Sequence, residues 1–273
     1  MIVGFVFTNY NNSYYTRNLI ESIFSFPEPD NSIIVIVDNN SGEEDINSLN
    51  TIIRDYPSVK LILNPSNVGY FRGLNVGIEF LRISHPECNH VIIGNNDLIF
   101  PSDFQIKLKS IQPLFAKYPV ISPDLLTLDG VHQNPHVVRE ISKAREVIYD
   151  IYYSNYYLSL VIGTLAKWTR KFTDRDDEQQ FRIGQIIYQG YGACYILGPL
   201  FFENFSALWA PTFLMSEEFF LSKQLTDKGL NIYYEPSILV HHHDHATMDK
   251  LPGRKLWSIS RDSHLIYREY VKI

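Results

Sequence analysis

A chain of 273 residues with 45% hydrophobic side chains holds enough apolar material for one large domain, and wholesale disorder is excluded. A formal net charge of -6 excludes a general nucleic-acid binder, which needs a basic face. The two cysteines, Cys88 and Cys194, lie in no Cys-x-x-Cys; they suggest no zinc site or disulfide framework, and a reducing compartment is the simplest context.

Met1–Phe7 lacks a basic leader and a cleavage site and reads as a first strand. Ser13 is positioned to cap a helix carrying Leu19, Ile20, Ile23 and Phe24 on one stripe. Ile33–Val37 predicts a second strand, ending at Asp38-Asn39-Asn40-Ser41. Ser41 with Glu44 forms a capping box before Ile46, Leu49, Ile52 and Ile53 at helical spacing. Val59–Leu63 predicts a third strand, and a glycine-punctuated turn then opens a helix through Ile78 and Leu81. Val91–Ile93 predicts a fourth strand that stops at Gly94-Asn95-Asn96-Asp97. Ser102 with Gln105 makes a second capping box, leading a helix through Leu108, Ile111 and Leu114. This alternation predicts an α/β fold with a mostly parallel central sheet and flanking helices.

Residues 142–181 break the pattern. Their centre, 151–166, is uncharged and rich in tyrosine, and charge returns at Lys167, Arg170 and Lys171. The segment predicts a helical insertion packed on its own domain or on a second subunit, with a membrane interface as the alternative. No apolar run has the length of a transmembrane helix. Strand signals resume at Tyr195–Leu197. A helix from Glu217 to Lys228 is stopped by Gly229, strands Ile232–Tyr234 and Ile238–Val240 flank Pro236, and Arg254–Tyr270 predicts a closing helix.

Four loops therefore stand at strand ends: Thr8-Asn9-Tyr10-Asn11-Asn12, Asp38–Ser41, Asn64–Gly77 and Asn95–Asp97. In a parallel sheet those ends line one edge, where ligands bind. Asp38 accepts hydrogen bonds when ionised, so it suits a base imide or a ribose hydroxyl. In the segment from Asn67 through Gly69, Arg72, Asn75 and Gly77, the glycines admit backbone close to a ligand, and Arg72 suits phosphate or base; a plain glycine turn opening a helix is the alternative. Asp97 beside an Asn offers hard oxygens that suit Mg²⁺ or Mn²⁺ bridging phosphates; the alternative is an Asx turn closing a strand. The absence of GxGxxG weakens a dinucleotide-oxidoreductase reading, GxxxxGK[ST] is also absent, and Thr8–Asn12 lacks the basic, glycine-rich phosphate loop a nucleotidyltransferase expects.

These motifs, in order, resemble family-2 glycosyltransferases of the GT-A fold, in particular the bacterial polysaccharide group that includes rhamnosyltransferases. Gly94-Asn95-Asn96-Asp97-Leu98 is similar to that group's variant of the DxD motif. Gly192-Ala193-Cys194, Phe213-Leu214-Met215-Ser216-Glu217-Glu218, and Gly229…Pro236…Val240-His241 match later family signatures. The resemblance spans the chain outside 142–181. It implies a single GT-A nucleotide-diphospho-sugar transferase domain over 1–273, with a nucleotide-sugar-binding half at 1–125 and an acceptor-side half at 183–273. It further implies metal-dependent, inverting transfer from a UDP- or dTDP-sugar to a glycan or lipid-linked saccharide acceptor in cell-surface polysaccharide synthesis. The expected setting is cytoplasmic, with the inner membrane face and a second copy of the chain as further candidate partners.

In residue terms, the resemblance implies Asp97 and His241 as ligands of Mn²⁺ or Mg²⁺. Glu218 is the implied base, with Glu217 second; ordinary helix-start charge is the alternative for both. Thr8, Asn9, Tyr10, Asp38, Asn67, Gly69, Arg72, Asn75, Asn95, Asn96, Gly192 and Arg261 are the expected nucleotide-sugar contacts. Neighbouring residues of an extended chain face opposite ways, so His241–His245 cannot all bind one ion. His245 and Thr247 are expected near the diphosphate or acceptor, and His242 and His243 in packing or at the surface. Departures at Asn95, Phe220 and Gln224 keep a non-catalytic sugar-nucleotide or glycan-binding relative as the rival.

Overall fold

The computed structural model describes residues 1–173, 180–243 and 253–272. His245 and Thr247 lie outside the described residues. In chain order the elements are β1 (Val3–Asn9), α1 (Ser13–Phe24), β2 (Ser32–Asp38), α2 (Glu43–Asp55), β3 (Lys60–Leu63), α3 (Tyr70–Ser84), β4 (His90–Asn95), β5 (Leu98–Ile99) and α4 (Phe104–Ser110). They continue with β6 (Val120–Thr127), α5 (Lys143–Ser154), α6 (Tyr156–Thr173), β7 (Gln185–Ile187), β8 (Cys194–Leu197), α7 (Pro199–Asn204), α8 (Glu217–Thr226), β9 (Ile232–His242) and α9 (Gly253–Tyr270).

Among the described residues the strands form one sheet in the order β3-β2-β1-β4-β8-β6-β9-β5, with β7 also paired to β9. β1 is parallel to β2 and β4, β2 to β3, and β6 to β9. Only β5, β7 and β8 run against their neighbours. The β-branched runs of β1, β2 and β4 are buried on both faces, as parallel strands between helical layers must be. Leu19, Ile20, Leu49, Ile52 and Leu108 cover one face; Leu74, Ile78, Phe201, Leu221 and Leu225 cover the other.

One feature of this topology sets the site. β4 lies at the centre of the sheet and β5 at its far edge, against the end of β9, and only Asn96 and Asp97 separate β4 from β5. Phe100 secures the far side of that crossing, its ring 5.6 Å from Phe5 and 4.8 Å from Phe104.

Helix starts depart from the expected caps. α2 begins at Glu43 behind Gly42, because the Ser41 hydroxyl donates instead to Asp38 Oδ1 at 2.5 Å. The Gln105 amide reaches Glu28 O and Ser32 Oγ rather than Ser102. Asn12, not Ser13, occupies the N-cap of α1, and Asp45 of α2 accepts from Ser13 N at 2.8 Å. For Gln105 and Ser13 a partner distant in sequence outcompetes the local cap; for Ser41 it is Asp38, three residues back. α4 stops at Ser110, and a 3₁₀ turn containing Pro113 replaces the expected continuation through Leu114. β9 is one strand across Pro236, with a register irregularity against Pro123 and Asp124.

Gly69 ties the start of α3 to the loop before α8. Its φ is +92°, and a Cβ there would stand 2.1 Å from the Phe213 carbonyl oxygen, which accepts from Tyr70 N at 3.0 Å. Gly69→Ala is expected to cost about 2 kcal/mol or more in denaturant unfolding, since backbone strain and a backbone clash add. An unchanged unfolding midpoint would contradict this.

Candidate functional site

The parallel register brings the C-terminal ends of β1, β2 and β4 together: Asn9 sits opposite Asp38, and Thr8 opposite Asn95. Beneath this rim lies a buried polar network. Asn9 Nδ2 donates to Asp38 Oδ1 and Asp45 Oδ2, both at 2.8 Å, and Thr16 donates to Asn9 Oδ1 at 2.8 Å. Asn96 Nδ2 lies 2.8 Å from Asn12 Oδ1 and 3.0 Å from Asn9 Oδ1. Asp38 is fully buried, and its second oxygen accepts from Ser41 N at 2.9 Å.

Asn9, Asp38 and Asn96 face one another and brace the loops, because a buried carboxylate must be paired and the neighbouring amide and hydroxyl donors supply that pairing. Thr8 and Asn95 are half-buried and Tyr10 is exposed at the rim.

Two further expected donor contacts are braces as well. Arg72 gives its guanidinium to the carbonyls of Ala210 (3.0 Å) and Pro211 (3.1 Å). Asn75 makes a reciprocal pair with the backbone of Leu208. Both hold the 208–211 loop against α3. Asn67 closes its own turn by accepting from Gly69 N at 3.0 Å. Arg261 lies over the Trp257 ring, 5.8 Å from its centroid, on α9.

At the crossing between β4 and β5, Asp97 is buried, and its carbonyl accepts from His243 N at 2.9 Å. The imidazole that meets Asp97 is that of His242, with Nε2 3.2 Å from Oδ1. His241, the expected ligand, is one residue off and takes the other face of β9. Alternation decides this: Ile238, Val240 and His242 are the buried set, and His242 pairs with Leu98 next to Asp97.

His242 Nδ1 lies 2.7 Å from Gln133 Oε1, a geometry that suits an Nδ1–H donor, and Nε2 is the ring nitrogen that faces Asp97. Asp97 Oδ1 itself takes no hydrogen bond. The 3.2 Å between His242 Nε2 and Asp97 Oδ1 is close to the roughly 3 Å between adjacent ligands of a Mg²⁺-sized ion bound at ~2.1 Å. Among the described residues no cluster of three His, Cys, Asp or Glu side chains surrounds a common point. An ion here would draw its remaining ligands from substrate oxygens and water.

The second part of the site is the acidic pair at the start of α8. Met215 and Ser216 precede it with φ of 74° and 67°, conformations uncommon for side-chain-bearing residues. Glu218 lines a cavity of about 130 Å³ with Tyr149 and Tyr153 of α5, Gln189, and His264 and Tyr267 of α9. Its Oε1 accepts from Gly192 N at 3.2 Å. Glu217 points into the protein: it is buried, its Oε1 has no hydrogen-bond partner, and burial, then the charge of Glu218, pushes its carboxyl up to about 8.

Between the ordinary value of 4.5 and about 8, folded Glu217 keeps a proton that the unfolded chain has released, so its contribution to stability is lost as pH rises through that window. Thermal unfolding measured from pH 6 to 9 is expected to show a smaller fall for Glu217→Gln than for the parent. Parallel curves would refute the burial of an ionisable group there.

Three consecutive residues join the two parts. The Tyr191 ring packs 6.0 Å from that of His242, Gly192 N meets Glu218, and the Ala193 carbonyl accepts from Asn95 N at 3.0 Å. Tyr70 closes the group from α3, donating to Gly192 O at 2.8 Å; burial, reinforced by the charges of Glu217 and Glu218, holds its phenol far above the usual value. Sequence reasoning missed His242, Gln133, Tyr191 and Tyr70. The period-two pattern Ile238-Val240-His242 was a signal for the first; the others are fixed by contacts between distant segments.

Residues 5–111 match the family described as Glycosyl transferase family 2. Solved structures with the same fold include TarS of S. aureus, with a TM-score of 0.57 at 12% identity, covering 89% of this chain and 36% of that one. The mannosyltransferase PcManGT of Pyrobaculum calidifontis, solved with GDP-Man and Mn²⁺, has a TM-score of 0.56 at 13% identity, covering 97% and 62%. GalNAc-T7, solved with UDP, GalNAc and Mn²⁺, has a TM-score of 0.57 at 12% identity, covering 89% and 44%. The chain thus spans from 36% to 62% of the length of these proteins. The shared fold is GT-A. No curated protein matches the chain.

Proposed function

We infer from a chain whose residues 5–111 are a glycosyl transferase family 2 domain that it moves a sugar from a nucleotide-sugar donor to a glycan acceptor, with inversion, in the presence of a divalent cation. The observation that supports this is the Tyr191–Ala193 link: one three-residue segment packs on His242 of the buried Asp97–His242 pair, bonds Glu218 through Gly192 N and bonds Asn95 through Ala193 O. A UDP- or dTDP-sugar donor and a bacterial, cell-surface or lipid-linked saccharide acceptor are the finer form of the reading.

Asp97 and His242 are the residues that would hold Mn²⁺ or Mg²⁺, and Gln133 keeps the imidazole in the tautomer that can ligate. A cation there neutralises the charge that grows on the departing diphosphate. Thr8, Tyr10 and Asn95 offer the accessible part of the donor rim, and the braces beneath them hold the loops in place. Glu218 faces the cavity and accepts the proton of the acceptor hydroxyl. That oxygen forms the new bond to the anomeric carbon as the bond from carbon to the diphosphate oxygen breaks, leaving a nucleoside diphosphate. Glu217, protonated below about 8, withholds a second negative charge beside Glu218.

The test is a thermal-shift panel of UDP, dTDP, GDP and CMP with and without Mn²⁺. A ligand at a hundred times its Kd stabilises the native state by about 2.7 kcal/mol, so the matching nucleotide is expected to raise Tm, and more so with Mn²⁺. A flat response to all four would overturn the reading. Binding without metal-dependent donor hydrolysis would select the rival, a sugar-nucleotide-binding protein without turnover.

A further inference from the structure

α5 has two unlike faces. Toward α9 it presents Glu146, Asp150 and two tyrosines: Tyr267 donates to Glu146 at 2.5 Å, and Asp150 lies 2.8 Å from His264 Nε2 and 3.0 Å from Arg268 Nε. Tyr149 and Tyr153 on that side line the cavity in which Glu218 stands. Away from α9 the helix presents Val147, Ile148 and Ile151, and α6 continues the surface with Leu158, Val161 and Leu165. These six aliphatic side chains are 43% to 57% exposed. Among the described residues α5 therefore packs on α9 along one side, and a run of large exposed aliphatics on one helical hairpin calls for an occupant.

The surroundings of the patch identify it. Trp257 packs 5.6 Å from Tyr156 and donates to the Tyr152 carbonyl, Arg254 stacks over Tyr156, and Tyr157 is exposed beside them. Lys143 opens α5, and Lys255 follows Arg254 at the start of α9. An aliphatic surface with amphipathic aromatics and cations at its margin is the composition of a helix lying in a bilayer interface. The cations run against a chain whose net charge is -6. A two-fold dimer through this face would set like-charged margins against each other, whereas an anionic lipid surface complements them. Among the described residues no helix is long and apolar enough to cross a membrane, so the contact is peripheral.

We propose that the outer face of the α5–α6 hairpin seats on an anionic lipid bilayer and holds the Glu218 cavity, walled by the other face of α5, at the membrane surface. The link to the cavity rests on the transferase reading and makes the acceptor a saccharide carried on a lipid; the membrane contact stands without it.

The test is co-sedimentation of the intact chain with phosphatidylcholine vesicles with and without phosphatidylglycerol, beside light scattering of the free protein. The parent is expected to bind the anionic vesicles, and Ile151→Ser, Leu158→Ser and Val161→Ser together to lower binding roughly tenfold or more. A double variant, Arg254→Gln with Lys255→Gln, is expected to weaken binding chiefly at low salt. The unfolding midpoint and donor hydrolysis in detergent-free buffer are expected to stay at parental values in both variants. Absence of vesicle binding, equal binding by parent and triple variant, or a parental dimer that the triple variant dissociates would each overturn the proposal, the last assigning the face to a second copy. Vesicle binding with no donor hydrolysis by the parent would instead refute the transferase reading and leave the membrane contact intact.

Discussion

Asp97→Asn is expected to reduce metal-stimulated donor turnover by about a thousandfold, or ~4 kcal/mol of transition-state stabilisation. The change keeps the shape of the side chain and the backbone bond from His243 to the Asp97 carbonyl, so the crossing from β4 to β5 survives. What it removes is the single negative charge that faces the His242 imidazole at 3.2 Å. His242→Ala is expected to weaken metal affinity at least as much as loss of an outer-shell partner does, about 10- to 100-fold. Gln133→Ala is expected to fall in that same range, because it frees the tautomer. His241→Ala, on the opposite face of β9, is expected to change metal titration little. Titration of hydrolysis against Mn²⁺ separates the four variants, and a larger loss from His241→Ala than from His242→Ala would refute the assignment made from strand alternation.

Glu218→Gln is expected to lower kcat by about a hundredfold to ten-thousandfold with the donor KM little changed, the range for removing a positioned general base. Glu217→Gln is expected to leave kcat within about tenfold, since that group is buried, protonated near neutral pH and absent from the cavity wall. The two adjacent acids thus separate by direction: the helix start sends one into the core and the other toward the cavity. Gly192→Ala supplies an independent check. A Cβ at that position would come within 2.6 Å of Glu218 Oε1, so the variant should lower kcat by displacing the carboxylate without removing it. Steady-state kinetics with a saccharide acceptor decides. Full activity of Glu218→Gln beside an inactive Glu217→Gln would exchange their roles.

Phe220 and Gln224, whose departure from the family pattern raised the non-catalytic rival, have structural work here. Phe220 is fully buried, with its ring 5.0 Å from Trp209, and Gln224 pairs with Trp209 N and Ala207 O. Their side chains fasten α8 to the preceding loop, which supports the acidic pair from behind.

By itself the sequence determined the alternating strands and helices, the strand ends at which Asp38 and Asp97 fall, and the acidic start of α8. Those properties depend on residue type and spacing within a dozen positions, where β-branched runs, turn residues and helical periodicity act locally. The tertiary structure alone decided that Asp38, Asn9 and Asn96 turn inward, and that Arg72 and Asn75 clamp the 208–211 loop. It likewise decided that Glu218 rather than Glu217 reaches the cavity and that Val147, Ile148, Ile151, Leu158 and Val161 are exposed on the α5–α6 hairpin. Each of these turns on which distant segment supplies the partner, and a buried polar group takes the nearest satisfying donor wherever in the chain it comes from. The choice of His242 over His241 falls between the two cases: the alternation was present in Ile238 and Val240, but only the pairing of β5 with β9 fixed which face looks at Asp97.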